Sequence, residues 1–237
     1  MGTTAVARVL RPAPQATYEK IFGTVYVGLM VNVLLAVACS PLLLALAIVR
    51  DPIASWPFFL AMSGLCAPAL AGAFGCFARM GEDGGTRVLH PFWTTYARTA
   101  RRAVGVWMIG AVLVGVLLFD ALLVARMAWG PALVPFFITT SALAGTVVVG
   151  VIVLAVDRPD LGLRQMVRSC VYLLARRWYL ATANVAVLGL AVAVVLVKPV
   201  IGMLVACAPL LYVAWANTRY ALAPLLPADD HRHFAQP

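Results

Sequence analysis

The sequence predicts an all-α polytopic membrane protein, a helical bundle with six transmembrane helices and two cytoplasmic amphipathic helices. Three observations carry this reading. Of 237 residues, 63% are hydrophobic and 11% charged, with a mean hydropathy of +0.95, whereas a water-soluble domain is about half apolar and a quarter charged. Several uncharged stretches reach the roughly 20 residues that a helix needs to cross the hydrocarbon layer. The gaps between them alternate between rich and poor in arginine. This composition excludes a soluble enzyme, a disordered chain and a secreted disulfide module, because a protein of this size must still present polar surface to water.

The first span is expected over 21–49, a stretch of 29 residues without charge. That is far longer than the apolar region of a removable signal, and five further spans follow it. The second is expected over 54–78, inside an uncharged run of 27 residues. The third, 103–125, is interrupted by Asp120 alone. The fourth is expected over 131–156, the fifth over 178–197 and the sixth over 199–220. None alternates apolar and polar residues as a barrel strand does. Pro41, Pro68, Pro135 and Pro209 are expected to kink or break their helices. Residues 1–20 and 224–237 are expected as tails around a membrane domain at 21–223.

Orientation follows from the basic residues. Fifteen of the 18 fall in one set of gaps: Arg8, Arg11 and Lys20; Arg79, Arg87, Arg98, Arg101 and Arg102; Arg158, Arg164, Arg168, Arg176 and Arg177; Arg219 and Arg232. The other set holds Arg50, Arg126 and Lys198. The expectation is a multi-pass protein of the bacterial inner membrane with both termini cytoplasmic. Its net charge of +9 serves topology and attraction to anionic lipid headgroups, worth about 1 kcal/mol per basic residue at the surface. No nucleic-acid-binding module accompanies the charge.

Two arginine-rich gaps are long enough to fold. In the first, Pro91 can open a helix, with Phe92, Trp93, Tyr96 and Ala100 at helical spacing and Arg98, Arg101 and Arg102 towards water or phosphate. In the second, Pro159 and Asp160 are expected to open a helix. Leu163, Met166, Val167, Cys170, Val171 and Leu174 form its apolar stripe, and Arg164 and Arg168 part of the opposite face. It ends in Arg176-Arg177, as the first ends in Arg101-Arg102. Helices of this kind lie in the interface plane. Trp93, Tyr96, Arg98, Arg101, Arg102, Arg164, Arg168, Arg176 and Arg177 are the candidate anchoring or docking residues.

Candidates for chemistry are few. Asp120 is the carboxylate within a span, about 26 Å along from Ala103 at 1.5 Å per residue, near the far interface. Asn32, Asn184 and Asn217, with Ser63, Thr139, Thr140, Ser141 and Thr146, suit hydrogen bonds between helices. His90, His231 and His233 lie outside the spans, and the five cysteines contain no C-x-x-C spacing and read as small core residues. No catalytic motif occurs, so neither an enzyme nor a cofactor or metal site is expected. Cys66-Ala67-Pro68-Ala69-Leu70 is echoed by Cys207-Ala208-Pro209-Leu210-Leu211, a weak internal repeat.

A group of these features resembles the YesL-like family of bacterial membrane proteins. They are the Asn-punctuated first helix around Leu29–Leu35, the segment Pro68–Phe74 followed by Phe77 and Arg79, and the aromatic-basic run Pro91–Arg98. Asp120 late in the third helix and the closing Asn217-Thr218-Arg219 complete the pattern, which covers about residues 18–222. The chain departs from it at Thr99–Arg102, where a further Phe and an Asn or Lys are usual. The resemblance implies a non-catalytic accessory or regulatory component of a solute transport system, with carbohydrate ABC transporter permease subunits as partners. The permease Glu-Ala-Ala loop itself is missing here. The alternative expectation is an independent small-solute or lipid transporter whose path is lined by Asp120 and the asparagines.

Overall fold

A computed structural model describes residues 15–49, 55–83, 87–127, 129–198 and 202–223. The elements are α1 (Gln15–Ala38), α2 (Ser40–Ile48), α3 (Trp56–Ser63), α4 (Cys66–Asp83), α5 (Leu89–Val124), a 3-10 turn (Gly130–Ala132), α6 (Val134–Asp157), α7 (Leu163–Arg176), α8 (Trp178–Val197), a π-turn (Gly202–Ala206) and α9 (Cys207–Leu222). No strand occurs among the described residues. Four stretches, Trp56–Gly81, Leu89–Val124, Gly130–Asp157 and Trp178–Val195, are long and apolar enough to cross a membrane. Phe22–Ala38 and Ser40–Ile48, bent by 59° to each other, make a fifth if taken as one span. The expected sixth, 199–220, is divided into the π-turn and the 16 residues of α9. These two elements are contiguous, and they are not among the stretches long and apolar enough to cross.

Proline sets these divisions. A proline cannot donate to the helical ladder, but in the first turn its missing N–H costs nothing. Pro41, Pro57, Pro68, Pro91, Pro135 and Pro209 each fall in the first three residues of a helix, so each opens a new segment. The echoed Cys-Ala-Pro sequences acquire a shared structural meaning here. Both begin a helix just after a break, at Gly64–Leu65 before α4 and at the π-turn before α9.

The break before α9 is repaired from another helix. Pro209 leaves the carbonyl of Val205, four residues earlier, without its helical donor. Asn32 of α1 donates from Nδ2 to that carbonyl at 3.1 Å, and the Ala208 N–H donates to Asn32 Oδ1 at 2.6 Å. The asparagine is buried, and its amide replaces the two rungs that the π-turn loses.

The core centres on α4, whose residues from Ala71 to Ala78 are all buried. It packs against α1, α5 and α6. Small residues let α5 approach closely: a Cβ added at Gly75 would stand 2.5 Å from Thr95 Oγ1, and one at Gly72 would stand 3.0 Å from the Phe92 ring. Phe74, Phe77, Phe92 and Trp215 fill the space around this contact. By contrast, the later part of α5 and most of α8 are bare, exposing Ile109, Leu113, Phe119, Leu122, Leu190 and Val192. Apolar surface on that scale suits lipid rather than water.

Two expectations about the amphipathic segments are corrected. The first is not a separate helix in the interface plane; it is the beginning of α5, continuous with the span through Arg101, Arg102 and Ala103 over 36 residues. Nothing between Pro91 and Val124 breaks the ladder, since this stretch has no further proline and its glycines are isolated. The second begins at Leu163, with Gly162 as N-cap, rather than at Pro159 and Asp160. Asp160 is instead engaged by Arg158.

Asn32→Leu is expected to destabilise the protein by about 1–3 kcal/mol for each backbone group it orphans, read as a lower midpoint in denaturant unfolding in detergent micelles. Gly75→Ala is expected to lose about 1–3 kcal/mol through overpacking against Thr95, while Gly105→Ala, which meets open space, leaves the midpoint in place.

Candidate functional site

One end of the bundle gathers the arginines. Three contacts define it. Arg102, the fourteenth of the 36 residues of α5, donates from Nη1 to the Pro159 carbonyl beyond α6 at 3.0 Å. Arg177 ahead of α8 donates from Nη1 to the Tyr220 carbonyl of α9 at 2.7 Å, with its guanidinium 5.2 Å from the Tyr220 ring centre. Arg219 of α9 meets Asp157, the last residue of α6, with Nε 3.1 Å from Oδ2.

The Asp157–Arg219 pair is the electrostatic centre of this end. Both side chains are nearly enclosed, 7% and 8% exposed, and the guanidinium also stands 4.9 Å from the centre of the Trp215 ring. Asp157 sits at the C-terminus of α6, where the helix dipole is negative and a carboxylate is disfavoured. Arg219 offsets that field and itself occupies the C-terminal turn of α9, where a cation is favoured. Removing either partner would strand a buried charge. Sequence reasoning overlooked the pair. The expected fourth span stopped one residue short of Asp157, and Arg219 was read for orientation and in the closing Asn217-Thr218-Arg219, not as the partner of an acid. The available signal was an acid lying directly at the end of an uncharged run of 30 residues.

Beside it, the asparagines form a chain between α8 and α9. Asn217 Nδ2 donates to the Leu180 carbonyl at 2.9 Å and to Asn184 Oδ1 at 2.8 Å. Asn184 Nδ2 donates to Thr218 Oγ1 at 2.8 Å, and that hydroxyl donates to the Ala214 carbonyl at 2.6 Å. Thr139, Thr140, Ser141 and Thr146 bond carbonyls of their own helix instead, which satisfies them without a partner helix. Ser63 receives the Trp107 indole N–H at 3.0 Å and so joins α3 to α5.

The remaining predicted residues divide by position. On α7, Met166, Cys170, Leu173 and Leu174 are buried, while Val167 and Val171 are exposed; the apolar stripe is narrower than the expected one. Burial pushes the Cys170 thiol up to about 12, so it is no nucleophile at neutral pH. Arg164, Arg168 and Arg176 are exposed on the other face. The hydrogen bond from Arg158 holds the exposed Asp160 carboxyl below the usual carboxylate range. On α5, Trp93 is exposed and Tyr96 half-buried, stacked on the buried Phe92 with ring centres 6.3 Å apart. Arg98, Arg101 and Arg102 line an open groove of about 520 Å³ together with Pro159 and Leu163. His90 is exposed, and His231 and His233 lie outside the described residues.

Asp120 does not belong to this end. It is half-exposed four residues before the close of α5, opposite the arginine cluster. Among the described residues, no group of three His, Cys, Asp or Glu side chains is placed to hold a metal ion. The arrangement supplies anchored guanidinium groups, an exposed indole and buried polar clamps. Groups of these types can hold anions and polar surfaces.

Arg219→Met is expected to destabilise the protein by about 3–5 kcal/mol, because it leaves Asp157 buried and unpaired. The double variant Asp157→Leu/Arg219→Met is expected to recover most of that loss. Thermal unfolding of both in the same detergent checks the difference.

Comparison of the chain with family models, with curated proteins and with solved structures yields no match.

Proposed function

We propose that the chain is a non-catalytic accessory or regulatory component of a solute transport system, seated in the bacterial inner membrane by six spans with both termini in the cytoplasm. The observation that carries this reading is the division of labour on α7. Its apolar residues Met166, Cys170, Leu173 and Leu174 are covered by the bundle itself, and Arg164, Arg168 and Arg176 project away from it. A helix that needed only to anchor in lipid would turn its apolar face outwards. This one presents Arg164, Arg168 and Arg176 beside the exposed Val167, Val171 and Tyr172, joined at the same end by the exposed Trp93, and aromatic and arginine side chains are the usual anchors of protein interfaces. Carbohydrate is the solute class that the likeness to the YesL-like family implies, and permease subunits are the corresponding partners.

A second reading, an independent transporter of small solutes or lipid, is favoured by the discontinuous helices. The breaks at Cys39 and Gly64–Leu65 adjoin each other, with Cys39 Sγ 3.6 Å from Cys66 Sγ, and the π-turn is held by Asn32. Broken helices are common at transporter binding sites.

Mild-detergent purification of the tagged protein from its own host, followed by mass spectrometry, separates the two. Stoichiometric recovery of a permease, lost in Arg164→Glu/Arg168→Glu, is expected for an accessory component. Recovery of the chain alone, together with solute flux in liposomes containing only this protein, overturns that reading in favour of the transporter.

A further inference from the structure

The groove beside α5 has features that docking to a protein does not use. Helix α5 has 36 residues, about 54 Å at 1.5 Å per residue, against a hydrocarbon layer about 30 Å thick. With the stretch from Ala103 to Val124, in which Asp120 is the one charged residue, filling that layer, Arg98, Arg101 and Arg102 stand at headgroup level. They occupy one side of the helix, and among the described residues no carboxylate pairs with them. Arg102 is already fixed by the Pro159 carbonyl, which lowers the entropy lost when it takes an anion.

The groove continues from these cations into apolar lining. Gly105 follows, where an added Cβ would meet nothing within 4 Å. Val106 and Ile109 come next along the helix, and Ile109 is two-thirds exposed. Leu163 forms the opposite wall as the first residue of α7, bringing the positive end of that helix dipole to the same place. Cationic head, empty notch and apolar track follow one another in the order of a phospholipid's phosphate, glycerol and acyl chain.

We propose that this groove is a binding site for an anionic phospholipid, with the phosphodiester held by Arg98, Arg101 and Arg102 and one acyl chain laid past Gly105 along Val106 and Ile109. The site goes beyond the accessory reading, and its readout, retained lipid, is separate from partner capture. Phosphatidylglycerol is the suitable probe, with phosphatidylcholine as the zwitterionic control. Arg164, Arg168 and Arg176, outside the groove, are left for a protein partner.

The test is titration of the purified full-length protein with phosphatidylglycerol, followed by native mass spectrometry. A saturable adduct is expected with phosphatidylglycerol and not with phosphatidylcholine. Arg98→Gln/Arg101→Gln is expected to weaken it by about fivefold per arginine removed. Arg164→Gln/Arg168→Gln changes net charge equally and is expected to leave it intact. Gly105→Phe keeps every charge but fills the notch, and is expected to abolish the adduct. Equal loss in the two arginine pairs would overturn the proposal in favour of diffuse surface attraction, and an undiminished adduct in Gly105→Phe would overturn the acyl path. Inorganic phosphate binding to the lipid-free protein as tightly as phosphatidylglycerol would make the site one for free phosphate. A shared thermal midpoint in the same detergent shows that the variants compared are folded.

Discussion

A carbonyl without a donor inside a bilayer has no water to turn to, and the bundle is organised by how it meets that constraint at its prolines. Six helices begin on or near a proline, so most of the missing donors fall where the ladder has no rung to lose. The exception is the passage from the π-turn into α9, and there Asn32 reaches across from α1. That pair of hydrogen bonds ties α1 to the entry of α9, while α4 lies against α1 and carries the principal core. The bend between α1 and α2 and the break between α3 and α4 then adjoin through Cys39 and Cys66. The breaks at Cys39 and Gly64–Leu65 thus lie against each other, whereas the π-turn leaves Leu204 and Val205 exposed and relies on the Asn32 amide.

At the other end of the molecule the constraint is charge. Asp157 and Arg219 are removed from water as a pair, with the Trp215 ring over the guanidinium, and such a pair holds only while both members remain. Because Asp157 is the last residue of α6 and Arg219 lies in the last turn of α9, the pair ties the ends of these helices together. The Asn184–Asn217–Thr218 chain then orients α8, and the Arg177–Tyr220 contact closes the same edge. These polar contacts are directional, which apolar packing is not, and they give this end a single arrangement.

Much of this was legible from the residues alone. Long uncharged runs identify the apolar helices because a span has a minimum length, and the alternation of arginine marks which helix ends share a side. Asn32, Asn184 and Asn217 were readable as contacts between helices, since a buried amide must find partners. Less legible was anything that depends on continuity. The aromatic-basic segment at Pro91–Arg102 has its own amphipathic character, yet no feature of its sequence interrupts the helix before Ala103, and it runs straight into the span. The stripe on α7 appeared wider than it is because spacing assigns Val167 and Val171 to a face without saying how much of that face the bundle covers. The ion pair was missed for a different reason: Asp157 and Arg219 are 62 residues apart, and only the fold brings them together.

The uninterrupted length of α5 also has a mechanical meaning. A rod of about 54 Å that is packed on α4 and α6 along part of its length, and bare along the rest, behaves as a lever. A tilt of about 10° around its midpoint carries each end through roughly 5 Å, close to the rise of one helical turn. In such a tilt Asp120, about 20 Å from the midpoint, moves by roughly 3.5 Å and Arg98, about 13 Å along the opposite arm, by roughly 2 Å, with no joint in between.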